Sequence, residues 1–165
     1  MMNFWLLFFH MLGASVWIGG HIYLVLIIVP NALKQHNAQA LLNFEQGFEK
    51  LGMSALITQV ITGLIMANQL LPNWSQRVNP FFNLGQDITI LLTLKFTWLI
   101  CTILTALSAQ LLVIPRLKQA LLAENMTVSQ KYFKIFVAHI SLIMLLGLAF
   151  VVTGVLFRTG LGILR

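Results

Sequence analysis

Two ionisable side chains, His10 and Lys95, lie within strongly apolar segments of this sequence. An ionisable group inside a membrane-spanning helix costs several kcal/mol, so its presence there indicates a function. Each of the two lies 20 positions before a proline, Pro30 for His10 and Pro115 for Lys95. The common spacing predicts a single site to which one half of the chain supplies an imidazole and the other half an ammonium.

The two prolines belong to matching segments. Residues 28–35 read Ile-Val-Pro-Asn-Ala-Leu-Lys-Gln, and residues 113–119 read Val-Ile-Pro-Arg-Leu-Lys-Gln. A Thr-Gly pair also recurs in the apolar segment that follows each of them, at 62–63 and at 153–154. We interpret these matches as two parallel helical-hairpin repeats, which imply a pseudo-two-fold axis along the membrane normal. That axis would place His10 and Lys95 at one depth.

Two more histidines lie in or near apolar segments. His21 follows His10 and Trp17 at helical spacing, so all three share one face of the first helix. His139 lies near the start of the last apolar segment. With a rise of about 1.5 Å per residue, His10 and Lys95 form an outer pair, and His21 and His139 form an inner pair.

These residue types suit a metal or a metal-containing cofactor. Histidine is the commonest metal ligand, and two histidines on different helices can clamp a haem iron or hold copper. The candidate ligands are therefore His10, His21 and His139. Lys95 would neutralise a haem propionate, bind an anionic substrate or transfer protons, and Trp17 would form a cofactor wall. The ordinary alternatives are a hydrogen bond to a neighbouring helix for each His, snorkelling for His139, and core packing or interfacial anchoring for Trp17.

The elements that must position these groups are membrane helices. The chain has 165 residues, of which 59% are hydrophobic and 8% charged, and its mean hydropathy is +0.89. Soluble domains carry about 25% charged residues. Unbroken apolar runs of ~20 residues cross a bilayer as helices. The sequence therefore predicts one all-α domain, an integral membrane four-helix bundle, with helices at about 4–29, 52–71, 88–114 and 134–157.

The charges are interpreted through membrane topology. Lys and Arg number 10 against 4 Asp and Glu, and they lie mostly between the apolar runs, which favours lipid over nucleic acid as the partner. The first and third connections hold six basic residues and the opposite side three, which predicts that both termini face outward. No soluble-enzyme motif occurs. The four carboxylates fall in predicted connections or at helix ends, which argues against a carboxylate-based proton path.

The first helix resembles the opening helix of the copper-resistance protein D (CopD) family. The similar stretch is His10 to Gly20, which reads His-Met-Leu-Gly-Ala-Ser-Val-Trp-Ile-Gly-Gly, and 62–64 and Leu94-Lys95 also match. The resemblance covers most of the chain. It implies a bacterial inner-membrane protein that binds or moves copper, with His10 as the leading ligand and His21 or a methionine assisting.

The layout is also similar to HemJ-type protoporphyrinogen oxidases, which are four-helix membrane proteins that bind haem b. The shared residues are His10, Trp17, Tyr23 and Lys95. The Asn-Glu and Pro of that family's last helix are replaced here by Val137-Ala138 and Ile140, which argues against porphyrinogen oxidation itself. Two function classes follow: copper binding or transport, and a b-type haem redox protein with a small-molecule or redox partner. A homo-oligomer is compatible with both.

Overall fold

The protein is described by a computed structural model, which covers residues 4–70 and 87–159. Within those ranges the chain forms four long helices, and each is long and apolar enough to cross a membrane. We number them α1 (Phe4–Lys34), α2 (Ala38–Leu70), α3 (87–122) and α4 (Met126–Thr159). The predicted all-α four-helix bundle is confirmed, and four such helices support a multi-pass membrane protein.

The helices are longer than the sequence predicts. The spans expected to end at 29 and 114 continue to Lys34 and Leu122, and those expected to begin at 52 and 134 begin at Ala38 and Met126. The first and third connections are therefore short turns, centred on 35–37 and 123–125. We call this end of the bundle the turn end, and the end where α1 and α3 begin the far end.

A π-helical turn lets the chain pass each proline without ending the helix. In α1 the π-turn is Leu24–Ile28, and the N–H of Val29 donates to the carbonyl of Leu24. In α3 it is Ala109–Val113, and Ile114 donates to Ala109 in the same way. The proline that follows sits in the first turn of a new α-helical segment, where a missing N–H costs no hydrogen bond. Our predicted helix ends at 29 and 114 were therefore wrong.

The two short turns have the same construction. His36 and Glu124 adopt left-handed backbone conformations, with φ of 50° and 52°. The N–H of the next residue, Asn37 or Asn125, donates to a carbonyl of the preceding helix at 2.9 or 3.0 Å. These bonds form a Schellman motif. Each Asn side chain then caps the following helix by accepting a backbone N–H at 3.1 Å. Matching π-turns and matching caps confirm the two helical-hairpin repeats.

The main hydrophobic core lies at the turn end, where both hairpins contribute to it. It surrounds the two π-turns, and its buried members are Leu24, Val29, Ala32, Ala38, Leu41, Leu42, Val113, Ile114, Leu117, Phe133, Phe136 and Ile140. Towards the far end the buried positions become more polar, with buried threonines at 62, 89, 93, 102 and 153. The packing is thus tightest at the turn end, and polar groups gather in the remainder of the bundle.

One side-chain hydrogen bond joins the two hairpins near this core. The Gln110 amide donates from Nε2 to Glu45 Oε1 at 2.7 Å, and both side chains are half-buried. Glu45 and Glu49 lie within α2, not in a connection as the sequence suggests. A charge-assisted bond of this kind is stronger than a neutral one. It therefore helps to fix α3 against α2.

We expect Gln110→Leu to lower the free energy of unfolding by about 1–3 kcal/mol, because the half-buried Glu45 carboxylate loses its donor. The measurement is a dodecyl sulfate unfolding titration of the protein in detergent micelles. The matched control is Gln39→Leu, which removes an exposed amide bond of 2.8 Å to Asn43 within α2. Equal effects of the two substitutions would show that the Gln110–Glu45 bond between the hairpins contributes no more to stability than an exposed bond within one helix.

Candidate functional site

The His10 side chain extends from α1 and is held by α2. Its Nδ1 lies 2.9 Å from Oγ1 of Thr62. The Thr62 hydroxyl already donates to the carbonyl of Thr58 at 2.6 Å, so it accepts from His10. The imidazole therefore carries its proton on Nδ1, and the ring has a further hydrogen bond to the backbone of Gln59. Nε2 lies outside the Thr62 hydrogen bond and is the nitrogen that a ligand would use. A metal-ligating histidine is commonly oriented in this way by a hydrogen bond from its other ring nitrogen.

The residue after Thr62 also positions the imidazole. A Cβ atom placed on Gly63 would lie 3.3 Å from His10 Cε1, which is tighter than ordinary van der Waals contact. The ring thus packs directly on the α2 backbone. A Thr-Gly pair supplies both an acceptor for the ring and the space for it to approach.

Lys95 has the corresponding surroundings in the second hairpin. Its Nζ lies 5.0 Å from the centre of the Phe157 ring, a cation–π contact with α4. A Cβ on Gly154 would lie 3.9 Å from the same Nζ. Gly154 follows the buried Thr153, so the glycine of the second Thr-Gly pair lies against Lys95 as that of the first lies against His10, while the Thr153 hydroxyl donates to the Ala149 carbonyl. The two basic residues therefore occupy equivalent positions in the two hairpins.

Lys95 is close enough to His10 for its charge to act on the imidazole, and no direct contact between the two side chains is among those described. Within the described ranges the contacts of Lys95 are to Phe157 and Gly154, and none is to a carboxylate. A site with two basic groups and no acidic partner attracts an anionic group. The two groups thus have equivalent surroundings and are both basic, and their union in one site stays a prediction.

Trp17 and His21 form a second cluster on α1, further from the far end. The Trp17 ring is buried and lies 4.5 Å from the His21 ring. It packs against α4, where a Cβ on Gly147 would lie 3.2 Å from it. His21 donates from Nδ1 to the Trp17 carbonyl at 2.8 Å and meets the edge of Phe48. Its Nε2 lone pair is therefore also free of the hydrogen bonds described.

His10 and His21 cannot bind the same metal ion. Eleven residues of helix separate them by about 16 Å along the axis. More generally, the described residues contain no group of three His, Cys, Asp or Glu side chains that could hold a metal ion. The predicted ligands are therefore separate single-imidazole positions.

His139 differs from the other two histidines because both of its ring nitrogens have protein partners. Nδ1 donates to the Ile135 carbonyl at 2.8 Å, and Nε2 lies 2.9 Å from the Ser108 hydroxyl on α3. Metal ligation through Nε2 would require the Ser108 bond to break. The contacts of His139 and those of His21 go to different residues, so the described contacts do not join them into an inner pair.

Two buried threonines differ from the others because their hydroxyl groups have no hydrogen-bond partner among the described residues. Most threonines of the bundle, such as Thr62, Thr105 and Thr153, donate to the carbonyl four residues earlier in their own helix. Thr93 and Thr102 are buried, and their Oγ1 atoms have no hydrogen-bond partner among the described residues. Thr102 is only 1% exposed and lies two turns from Lys95 on the same face of α3. The sequence placed Thr102 on that face, but it could not show a hydroxyl without a partner.

Comparison with protein-family models, with curated proteins and with solved structures finds no match to this chain. The fold defines a class of protein: a four-helix, two-repeat membrane bundle in which one hairpin carries the His10 imidazole and the other the Lys95 ammonium.

Proposed function

We propose that this chain is a membrane protein related to the CopD and HemJ-type families, and that it binds a metal-containing group at the His10–Lys95 site. The observation that carries the proposal is the state of His10. Its Nδ1–H is fixed by Thr62, so its Nε2 lone pair is oriented and available. Structural histidines that only crosslink helices, such as His139, have both nitrogens engaged.

Haem b fits the donor set best. His10 would supply an imidazole ligand to the haem iron, and Lys95 would neutralise a propionate carboxylate of the haem. The buried Thr102 hydroxyl, which lacks a partner in the described part of the chain, would gain one from a polar group on the haem edge. Bound haem would supply one-electron chemistry, and a small-molecule or protein redox partner would exchange the electron.

Copper is the second candidate, and the arrangement of His10 and His21 favours it. Each has a free Nε2, and they lie on one face of α1 about 16 Å apart. Such single-imidazole positions suit a transported ion, which must bind weakly enough to leave. Met11, next to His10, is exposed and would add a soft ligand for Cu(I). A stable resident copper site would need more ligands than His10 alone.

The proposed location is the inner membrane of a bacterium, with both termini outside. Its support is the charge near the turn end, where the basic residues are Lys34, Arg116, Lys118, Lys131 and Lys134, with Lys50 further along α2. Cytoplasmic segments carry such an excess of Lys and Arg. The His10–Lys95 site, near the far end, would then lie in the outer half of the bilayer.

The test is a visible spectrum and a metal analysis of the protein purified in mild detergent. For haem we expect a Soret band and about one iron per chain, with His10→Ala lowering the haem content by about 10–100-fold. The control is His36→Asn, which changes an exposed histidine in the first turn and keeps a residue type that tolerates its left-handed backbone.

The other outcomes separate the two candidates. A colourless protein that binds copper, and that loses this copper in His10→Ala, would show that the ligand of the site is copper and not haem. Haem or copper content that is equal in His10→Ala and wild type would overturn the site, and so would the absence of both after membrane reconstitution with each ligand.

A further inference from the structure

A groove at the turn end lies apart from the His10–Lys95 site. It has a volume of about 370 Å³ and lies where α3 turns into α4. Its polar lining comes from Arg116, Gln119, Asn125 and Tyr132, and its small lining residues include Ala120 and Ala123. A groove of this size accommodates a phosphate group with part of its esterified alcohol.

Arg116 is the charged group of the groove. The centre of its guanidinium lies 5.9 Å from the centre of the Tyr132 ring on α4. A guanidinium on an aromatic face keeps its N–H groups at the edge, where they can donate in pairs to phosphate oxygens. Among the described residues its charge has no carboxylate partner. The side chain is therefore pre-positioned for an anion.

The second donor of the groove is the Asn125 amide. Its Oδ1 accepts the backbone N–H of Val128 at 3.1 Å, which fixes the orientation of the side chain. With the oxygen occupied, the two N–H groups of Asn125 remain as donors. Guanidinium and amide donors together favour a phosphate oxygen over a cation or an apolar ligand.

The setting of the groove points to lipid. The segment Ile114–Leu122 ends a helix that is long and apolar enough to span a membrane, and it follows the predicted span 88–114, which would place the groove near a membrane–water boundary. Leu122 and Met126, on either side of the turn, are exposed to 87% and 68%. Exposed apolar side chains beside a basic groove match a phospholipid, whose headgroup and acyl chains meet at this depth.

We infer that this groove binds the phosphate of an anionic phospholipid, with Arg116 as its main contact. Basic pockets between membrane helices at the cytoplasmic side recognise such headgroups. The first hairpin has Asn31 at the position equivalent to Arg116. The groove is therefore a property of the second hairpin, and each chain holds one such lipid.

The test is native mass spectrometry of the full chain, released from micelles that contain phosphatidylglycerol or phosphatidylcholine. Wild-type protein retains one phosphatidylglycerol and no comparable phosphatidylcholine. Arg116→Gln lowers that retention by about tenfold, since a bidentate contact is lost. The control is Lys118→Gln, an exposed charge on the same helical segment outside the groove lining, and its loss stays below about fivefold.

Arg116→Lys tests whether charge alone is enough, because it keeps the positive charge and loses the paired N–H donors of the guanidinium. We expect its retention of phosphatidylglycerol to fall most of the way to that of Arg116→Gln. Equal losses for Arg116→Gln and Lys118→Gln overturn the inference, as does equal retention of the two lipids. A further arm adds inorganic phosphate to lipid-free micelles and follows thermal unfolding. If inorganic phosphate raises the unfolding temperature of the wild type and not of Arg116→Gln, the groove binds free phosphate, and the proposal of a lipid ligand is overturned.

Discussion

An added methyl group at position 13 is expected to push the first two helices apart. In Gly13→Ala the new Cβ would lie 2.9 Å from the backbone oxygen of Ala55 and 3.0 Å from Gln59 Cγ. The Gln59 side chain can move, but the backbone oxygen cannot rotate away. The helices must separate, and overpacking of this kind costs about 1–3 kcal/mol. Dodecyl sulfate titration in micelles measures the loss.

The matched control is Gly19→Ala on the same helix. A Cβ there meets nothing within 4 Å, and Ala favours a helix over Gly by up to about 1 kcal/mol. The two substitutions are therefore expected to change stability in opposite directions. Gly13→Ala should also weaken ligand binding, because Thr62 and Gly63 move away from His10. Equal stabilities for the two variants would contradict the close α1–α2 contact.

Replacing Lys95 with methionine is expected to separate folding from function. An ammonium inside a membrane bundle without a carboxylate partner costs free energy, so Lys95→Met should leave stability unchanged or raise it by about 1–4 kcal/mol. The same change should lower affinity for haem by at least about tenfold, because a propionate would lose its counter-charge. Absorbance titration with haem and unfolding in micelles measure the two effects on the same sample.

Lys134→Met serves as the control, since Lys134 is exposed at the turn end and far along α4 from Phe157. We expect it to leave haem affinity unchanged. A Lys95→Met protein that unfolds more easily and still binds the ligand normally when folded would make Lys95 a structural residue. That result would remove Lys95 from the proposed binding site and leave His10 as its ligand.

The bundle follows from hydropathy, whereas its helix ends do not. Four apolar runs separated by polar segments leave few alternatives in a bilayer, so the four helices are predictable. Pro30 and Pro115 suggest that α1 and α3 end, because proline removes a backbone donor. The π-turns that precede the prolines have a different hydrogen-bond pattern, and no residue type in Leu24–Ile28 predicts a π-turn. Local backbone geometry of this kind is set by packing of the hairpins.

The equivalent positions of His10 and Lys95 in the two hairpins could be predicted because the spacing to each proline is the same. Their surroundings were harder to predict, since Thr62 lies 32 residues after Pro30 and Thr153 lies 38 after Pro115. Three of the six extra residues belong to the longer end of α3 before the second turn. The other three are close to one helical turn in α4, so the Thr-Gly pair returns to the same face. Only the folded hairpins show that both pairs meet a basic residue.

The number of hydrogen-bond partners on each imidazole accounts for a further difference between prediction and structure. From sequence, His10, His21 and His139 look alike as ligands. The structure distinguishes them because Thr62 and Ser108 have different roles: one holds an imidazole by a single nitrogen, and the other occupies the second nitrogen of His139. Such roles depend on which rotamer each hydroxyl adopts, which no spacing rule supplies.

The matching π-turns and caps also bear on how such a site can arise. Two identical hairpins related by a true two-fold axis would present two histidines or two lysines to each other, because symmetry repeats every residue. Joining the hairpins into one chain removes that constraint, and each copy can then change independently. The unlike pair of His10 and Lys95 is thus an outcome that gene duplication and fusion allow and that a symmetric dimer of hairpins forbids.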